Sequence, residues 1–100
     1  MATSRCLCPN VPPGDPCKLG AKSQLGKNQY FWVTISSPRR PPSVAVDVYS
    51  GTAGGPTGAL IGRASIAEPL RVDSTMIADT HIWARNVSGA NVGVVAAIRP

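Results

Sequence analysis

Three cysteines and one histidine are the residues of this chain best suited to chemistry. Cys6, Cys8 and Cys17 stand in a C-x-C-x8-C pattern among prolines, and His81 is the only histidine. Thiolates at such spacing can share a tetrahedral zinc ion or an iron–sulfur centre, because the intervening prolines and glycine fold the chain back. Three thiolates leave one ligand position open, which His81 or a neighbouring subunit would fill. Ordinary zinc modules use C-x2-C pairs rather than C-x-C. The alternatives are three reduced thiols, or a Cys6–Cys17 or Cys8–Cys17 bridge formed after release from the cell. A disulfide framework ranks behind these, since cytosolic thiols stay reduced and three cysteines cannot all pair within one chain.

Other residue types give little purchase for catalysis. His81 shares a strand face with Trp83 and Arg85, the ordinary setting of a half-exposed histidine beside an aromatic. A nucleophile–base pair needs a third, orienting group, and the sequence points to none. Only five acids exist, in no acid/base motif. The stretch GTAGGPTG, residues 51–58, lacks the patterns GxxxxGK[ST] and GxGxxG and precedes no helix, so it reads as a flexible hairpin tip. Asn86-Val87-Ser88 matches N-x-S and reads as a turn. The chain is not expected to be an enzyme.

Charge is divided unevenly. Up to Pro42 there are six basic residues (Arg5, Lys18, Lys22, Lys27, Arg39, Arg40) against the single Asp15, which accounts for the whole formal net charge of +5. The cysteines and seven of the ten prolines lie there too. Beyond, Arg63, Arg71, Arg85 and Arg99 balance Asp47, Glu68, Asp73 and Asp79. The basic residues, with Trp32 beside them, are the candidate partner-binding set. They would neutralise phosphates of a nucleic acid or meet an acidic protein surface. A neutral body with no basic stripe favours the protein partner.

These residues must be positioned by strands. One hundred residues allow one core. Residues 1–28 show no sustained period, and Pro9, Pro12, Pro13 and Pro16 oppose regular ladders. They read as an irregular, extended N-terminal arm. Residues 29–100 read as the body. Within it Gln29–Ser36 places Phe31, Val33 and Ile35 on one face and Tyr30, Trp32 and Thr34 on the other, both covered. SPRRPP, residues 37–42, is a stiff basic connector. Ser43–Ser50 turns Val44, Val46 and Val48 inward and Asp47 and Tyr49 outward. Ala59–Ala67 carries Leu60, Ala64 and Ile66 on its inner face. Leu70–Ile77 follows, with Leu70, Val72 and Met76 inward. Thr80–Val87 and Asn91–Ile98 read as a hairpin around Ser88-Gly89-Ala90. Nothing has helical period. The fold expected is all-β, an antiparallel β-sandwich of jelly-roll or Ig-like form. No apolar run approaches the ~20 residues of a membrane span, and no hydrophobic segment follows the first residues as in a secretory signal. The chain is expected to be made and kept in the cytoplasm unless it leaves in an assembly.

The stretch HIWARNVSGANVGVVAAI resembles the last hairpin of small β-sandwich virion proteins of tailed bacteriophages, and VDVYSGTAGGPTGALIG resembles their strands joined by a Gly/Thr loop. The likeness covers about half the chain and carries over no binding residue. It implies a structural virion protein, first a head decoration or cement protein, otherwise a tail or baseplate component. Such a protein would be a homo-oligomer docked on a larger lattice such as a major capsid protein, with residues 1–28 reaching a neighbour. The other classes weighed are an OB-like nucleic-acid-binding module and a carbohydrate-binding sandwich with Trp32 or Trp83 as platform.

Overall fold

The computed structural model describes residues 5–36 and 44–100, with side chains from Cys8 onward. Eight strands run through it: β1 (Arg5–Val11), β2 (Pro16–Ala21), β3 (Tyr30–Ile35), β4 (Ala45–Gly51), β5 (Leu60–Ser65), β6 (Leu70–Val72), β7 (His81–Asn86) and β8 (Val92–Arg99). They form two four-stranded sheets, in the orders β1-β8-β3-β6 and β2-β7-β4-β5. The first strand pairs with the last, the second with the seventh, the third with the sixth and the fourth with the fifth, all antiparallel. An antiparallel ribbon wound over itself in this way is a jelly roll. Of the two sandwich forms expected, the order of strands selects that one. No helix among the described residues is long and apolar enough to cross a membrane.

The core is built mainly from small β-branched side chains. Val33, Val44, Val46, Val48, Val72, Val92 and Val94 are fully buried, around Phe31, Leu19, Ile77 and Ile82. Alternation explains most of this, since every second residue of a half-buried strand faces inward. Three expected inward residues turn out instead. A register shift makes Ile61 an extra residue of β5, so Leu60 points to solvent. A 3-10 turn at Ser74–Met76 changes the phase after β6, so Ile77 is buried and Met76 is exposed. Ile66, also expected inward, lies beyond the end of β5 and is exposed.

Residues 5–21, expected to be an irregular arm, supply one strand to each sheet. Val11 and Leu19 enter the common core, and Leu19 is almost completely buried. The prolines that spoke against ladders sit where ladders tolerate them. Pro9 lies in β1 and Pro16 opens β2, both edge strands, where a missing N–H need not break an internal pairing. Across this edge Cys8 and Cys17 are joined in a disulfide, with Cα atoms 6.6 Å apart. The bond links β1 of one sheet to β2 of the other. Closing so short a loop stabilises the fold by about 2–3 kcal/mol on loop-closure entropy. A Cys8→Ala/Cys17→Ala variant is therefore expected to unfold at lower urea than the parent, and reductant should lower the parent to the same midpoint. A parent midpoint unmoved by reductant would contradict this.

The β7–β8 connection is not a hairpin. β7 belongs to one sheet and β8 to the other, so Val87–Asn91 crosses the sandwich. The crossing is set by Asn86, whose side chain is 1% exposed. Its Nδ2 donates to Val11 O (2.8 Å) and Ala90 O (2.7 Å), and its Oδ1 accepts from Ser88 N (2.9 Å) and Ser88 Oγ (2.6 Å). Its backbone N–H donates to Asp15 O, and its carbonyl accepts from Gly14 N. The β1–β2 corner and the β7–β8 corner lie side by side, and Asn86 clamps one to the other.

Candidate interaction face

The alternation of β3 that buries Phe31 and Val33 turns Tyr30 and Trp32 to the outer side of their sheet. β3 lies between β8 and β6, so its outward residues have neighbours on both sides. Arg99 of β8 stands opposite Tyr30, and Arg71 of β6 stands opposite Trp32. Each guanidinium reaches diagonally. Arg71 lies over the Tyr30 ring at 4.8 Å from its centroid, and Arg99 lies over the Trp32 ring at 4.9 Å. Diagonal neighbours on one sheet face are within reach of such long side chains. Each stack contributes about 0.5–1 kcal/mol at an exposed site and restricts the arginine to one orientation.

The result is a face of two planar cations on two aromatic rings. Among the described residues neither arginine has a carboxylate within ion-pair distance. Asp73, two residues beyond Arg71, is engaged locally. Thr75 donates to it through its hydroxyl and its backbone N–H, and these bonds, with the nearby Arg71 charge, hold its carboxyl below the usual range. The Trp32 Nε1 is covered and has no hydrogen-bond partner among the described residues. Guanidinium N–H groups left over from stacking can bind carboxylate or phosphate oxygens in a forked, bidentate way.

The outer face of the second sheet is chemically different. Asp47 accepts from Arg63 Nε at 2.6 Å and from Nη2 at 3.3 Å, which raises the Arg63 pKa and neutralises both groups. Trp83 donates from Nε1 to Thr52 O at 2.7 Å. That bond pins the glycine-rich stretch, which folds back through Thr52 N–H to Gly55 O and Gly58 N–H to Ser50 O. Gly51 permits this fold. A Cβ there would collide with the Gly55 carbonyl oxygen and lie 2.9 Å from Pro56 Cα. The stretch read as a flexible tip is thus tied to its own strand.

Of the residues expected to hold a metal, Cys8, Cys17 and His81 are not brought together as a ligand set. Cys8 and Cys17 are bonded to each other between the sheets, and Cys6 takes its place in β1 opposite Ala96. Cys17 stands opposite Ala84, which is buried, whereas His81 lies three positions away and on the opposite side of β7. Among the described residues no three His, Cys, Asp or Glu side chains are grouped as a metal requires. His81 Nδ1 instead bonds the Thr80 hydroxyl at 2.8 Å. It borders a shallow groove of about 320 Å³ with Asp79 and Lys22. Asp79 there faces Ser50 Oγ at 3.4 Å rather than the imidazole, so acid, imidazole and hydroxyl form no relay.

The expected partner-binding set is scattered. Trp32 lies in the cationic face. Arg5 pairs with Ala97 in the ladder, and Lys18 stands opposite Trp83 on the other sheet. Lys22 Nζ donates to Ile77 O at 3.2 Å, and Lys27 is exposed in the turn before β3. Arg39 and Arg40 lie outside the described residues. Tyr30, Arg71 and Arg99 were missed because their charges and rings meet only through strand pairing. The one legible sign was that Tyr30 and Trp32 share a strand face. No family model, curated protein or solved structure matches the chain.

Proposed function

We propose that this jelly roll is a structural subunit of a virion, a decoration or cement protein that docks on an acidic surface of a larger protein lattice. The single observation that carries the reading is the cationic face, in which Arg71 and Arg99 are pre-oriented on Tyr30 and Trp32 with no carboxylate partner among the described residues. Ordering long side chains on binding costs about 0.5–1.5 kcal/mol each, and stacking removes part of that cost beforehand. The jelly roll is itself a recurrent architecture of capsid proteins. With residues 5–21 built into the sandwich, docking falls to a sheet face and not to an arm. A tail or baseplate position would use the same face.

The reading is tested on purified particles of the virus carrying this sequence. The chain is expected in them at high copy number, and its absence from them would overturn the proposal. A second reading, single-stranded nucleic acid, draws on the same stacked arginines. It predicts retention on oligonucleotides with a steep salt slope. The fold carrying it would not be an OB barrel, since eight strands lie in two sheets. A glycan platform is less favoured, because Arg99 covers the Trp32 ring and the Trp83 indole is engaged with Thr52.

A further inference from the structure

Among the described residues the sandwich has four edge strands, and three carry devices that block pairing with another chain. Unpaired N–H and C=O groups along an edge are a template for strand addition, and proteins guard them with proline, charge, bulges or shortness. β1 contains Pro9 and a register shift between Cys8 and Val11. β2 opens with Pro16, carries Lys18 and shifts register between Lys18 and Gly20. The disulfide further fixes these two strands together. β6 is only three residues long and follows Pro69.

β5 is the exception. It runs six residues without a proline. Its bulge at Ile61 comes at the start and leaves Gly62–Ser65 in regular register with β4. Its only charge, Arg63, is neutralised by Asp47. Leu60 is 56% exposed at one end, and Ile66 is 38% exposed just past the other. Among the described residues its outer backbone groups are open except the Ser65 N–H, which donates to Glu68 O, and the edge has an apolar residue at each end and no net charge.

We propose that β5 pairs antiparallel with β5 of a second copy, joining two sheets across a twofold axis. A twofold contact requires a surface complementary to itself. An antiparallel pair of identical strands meets that condition, because it sets the Leu60 end of one copy beside the Ile66 end of the other and brings the two Arg63 residues, each already paired with its own Asp47, together at the axis. The Arg63–Asp47 pair also favours a like partner. On a chain of net charge +5, a neutral edge is where two copies approach with least repulsion. This deepens the assembly reading and rests on it.

Sedimentation of the full chain over a wide concentration range tests the proposal. The parent is expected to pass from monomer to dimer as concentration rises, with little response to salt. A Leu60→Lys/Ile66→Lys variant places like charges across the junction and should dimerise about tenfold or more weakly. Both side chains are exposed, so near-ultraviolet circular dichroism should be unchanged. Val87→Lys, on an equally exposed residue of the β7–β8 crossing, should dimerise like the parent. A parent that stays monomeric, a double variant that dimerises normally, or a dimer abolished by Val87→Lys would each overturn the proposal. Monomers that still bind particles would remove the dimer alone, whereas dimers absent from particles would remove the virion reading alone.

Discussion

Deletion of residues 1–28 is expected to leave a chain that does not fold. The deletion removes β1 and β2, the outer strand of each sheet, and exposes the flanks of β8 and β7. It takes Cys8, Val11 and Leu19 from the core, and with them the bond between the sheets. Each large apolar side chain withdrawn from burial costs about 1.5–3 kcal/mol. Each ladder hydrogen bond adds about 0.5–1.5 kcal/mol. Two strands of such contacts exceed the margin of a domain this size, about 5–15 kcal/mol in total. Dispersed amide proton resonances should collapse, and the β signal in circular dichroism should be lost. A truncated chain with the dispersed spectrum of a folded body would instead restore the view that these residues are an arm.

Asn86→Ala should be among the most damaging single substitutions. It strands the buried carbonyl of Val11, takes the acceptor from the part-buried Ser88 N–H, leaves Ala90 O with only the Ser88 hydroxyl, and empties a corner where Asn86 itself is fully covered. A buried polar group left without its partner costs about 1–3 kcal/mol. Losing the clamp should therefore destabilise the protein by about 3 kcal/mol or more. At roughly 4–8 °C per kcal/mol for a domain of this size, the melting temperature should fall by about 12 °C or more. Asn86→Asp separates hydrogen bonding from shape. At neutral pH its carboxylate still accepts from Ser88 but faces two carbonyl oxygens, so it should not rescue stability. A melting temperature within a few degrees of the parent for either variant would show that the corner does not depend on this side chain.

The same residue marks how far the sequence could be read. Its N-x-S context was legible as a turn, and the flanking strands were placed to within a residue or two. What could not be seen was that the turn passes between sheets. A crossing and a hairpin have the same local signature, and only Val11, 75 residues away along the chain, distinguishes them. The inward valines of β4 were legible because strict alternation survives without knowledge of neighbours. Leu60 was misplaced because a single extra residue, Ile61, reverses the phase of everything before it. The prolines of β1 and β2 misled for a related reason. Proline excludes a central strand but not an edge, and position within a sheet is not a property of one strand's sequence. The interaction face has the same origin. Trp32 was singled out, but Arg99 and Arg71 reach it and Tyr30 only through pairings set by the jelly-roll winding.

The face is most directly tested by rebinding. Particles stripped of this protein are offered the parent chain and an Arg71→Glu/Arg99→Glu variant, and bound protein is counted after washing. The parent should rebind, while the variant, folded by near-ultraviolet circular dichroism, should be lost from the particles. Equal rebinding by the two chains would contradict the assignment of this face to docking.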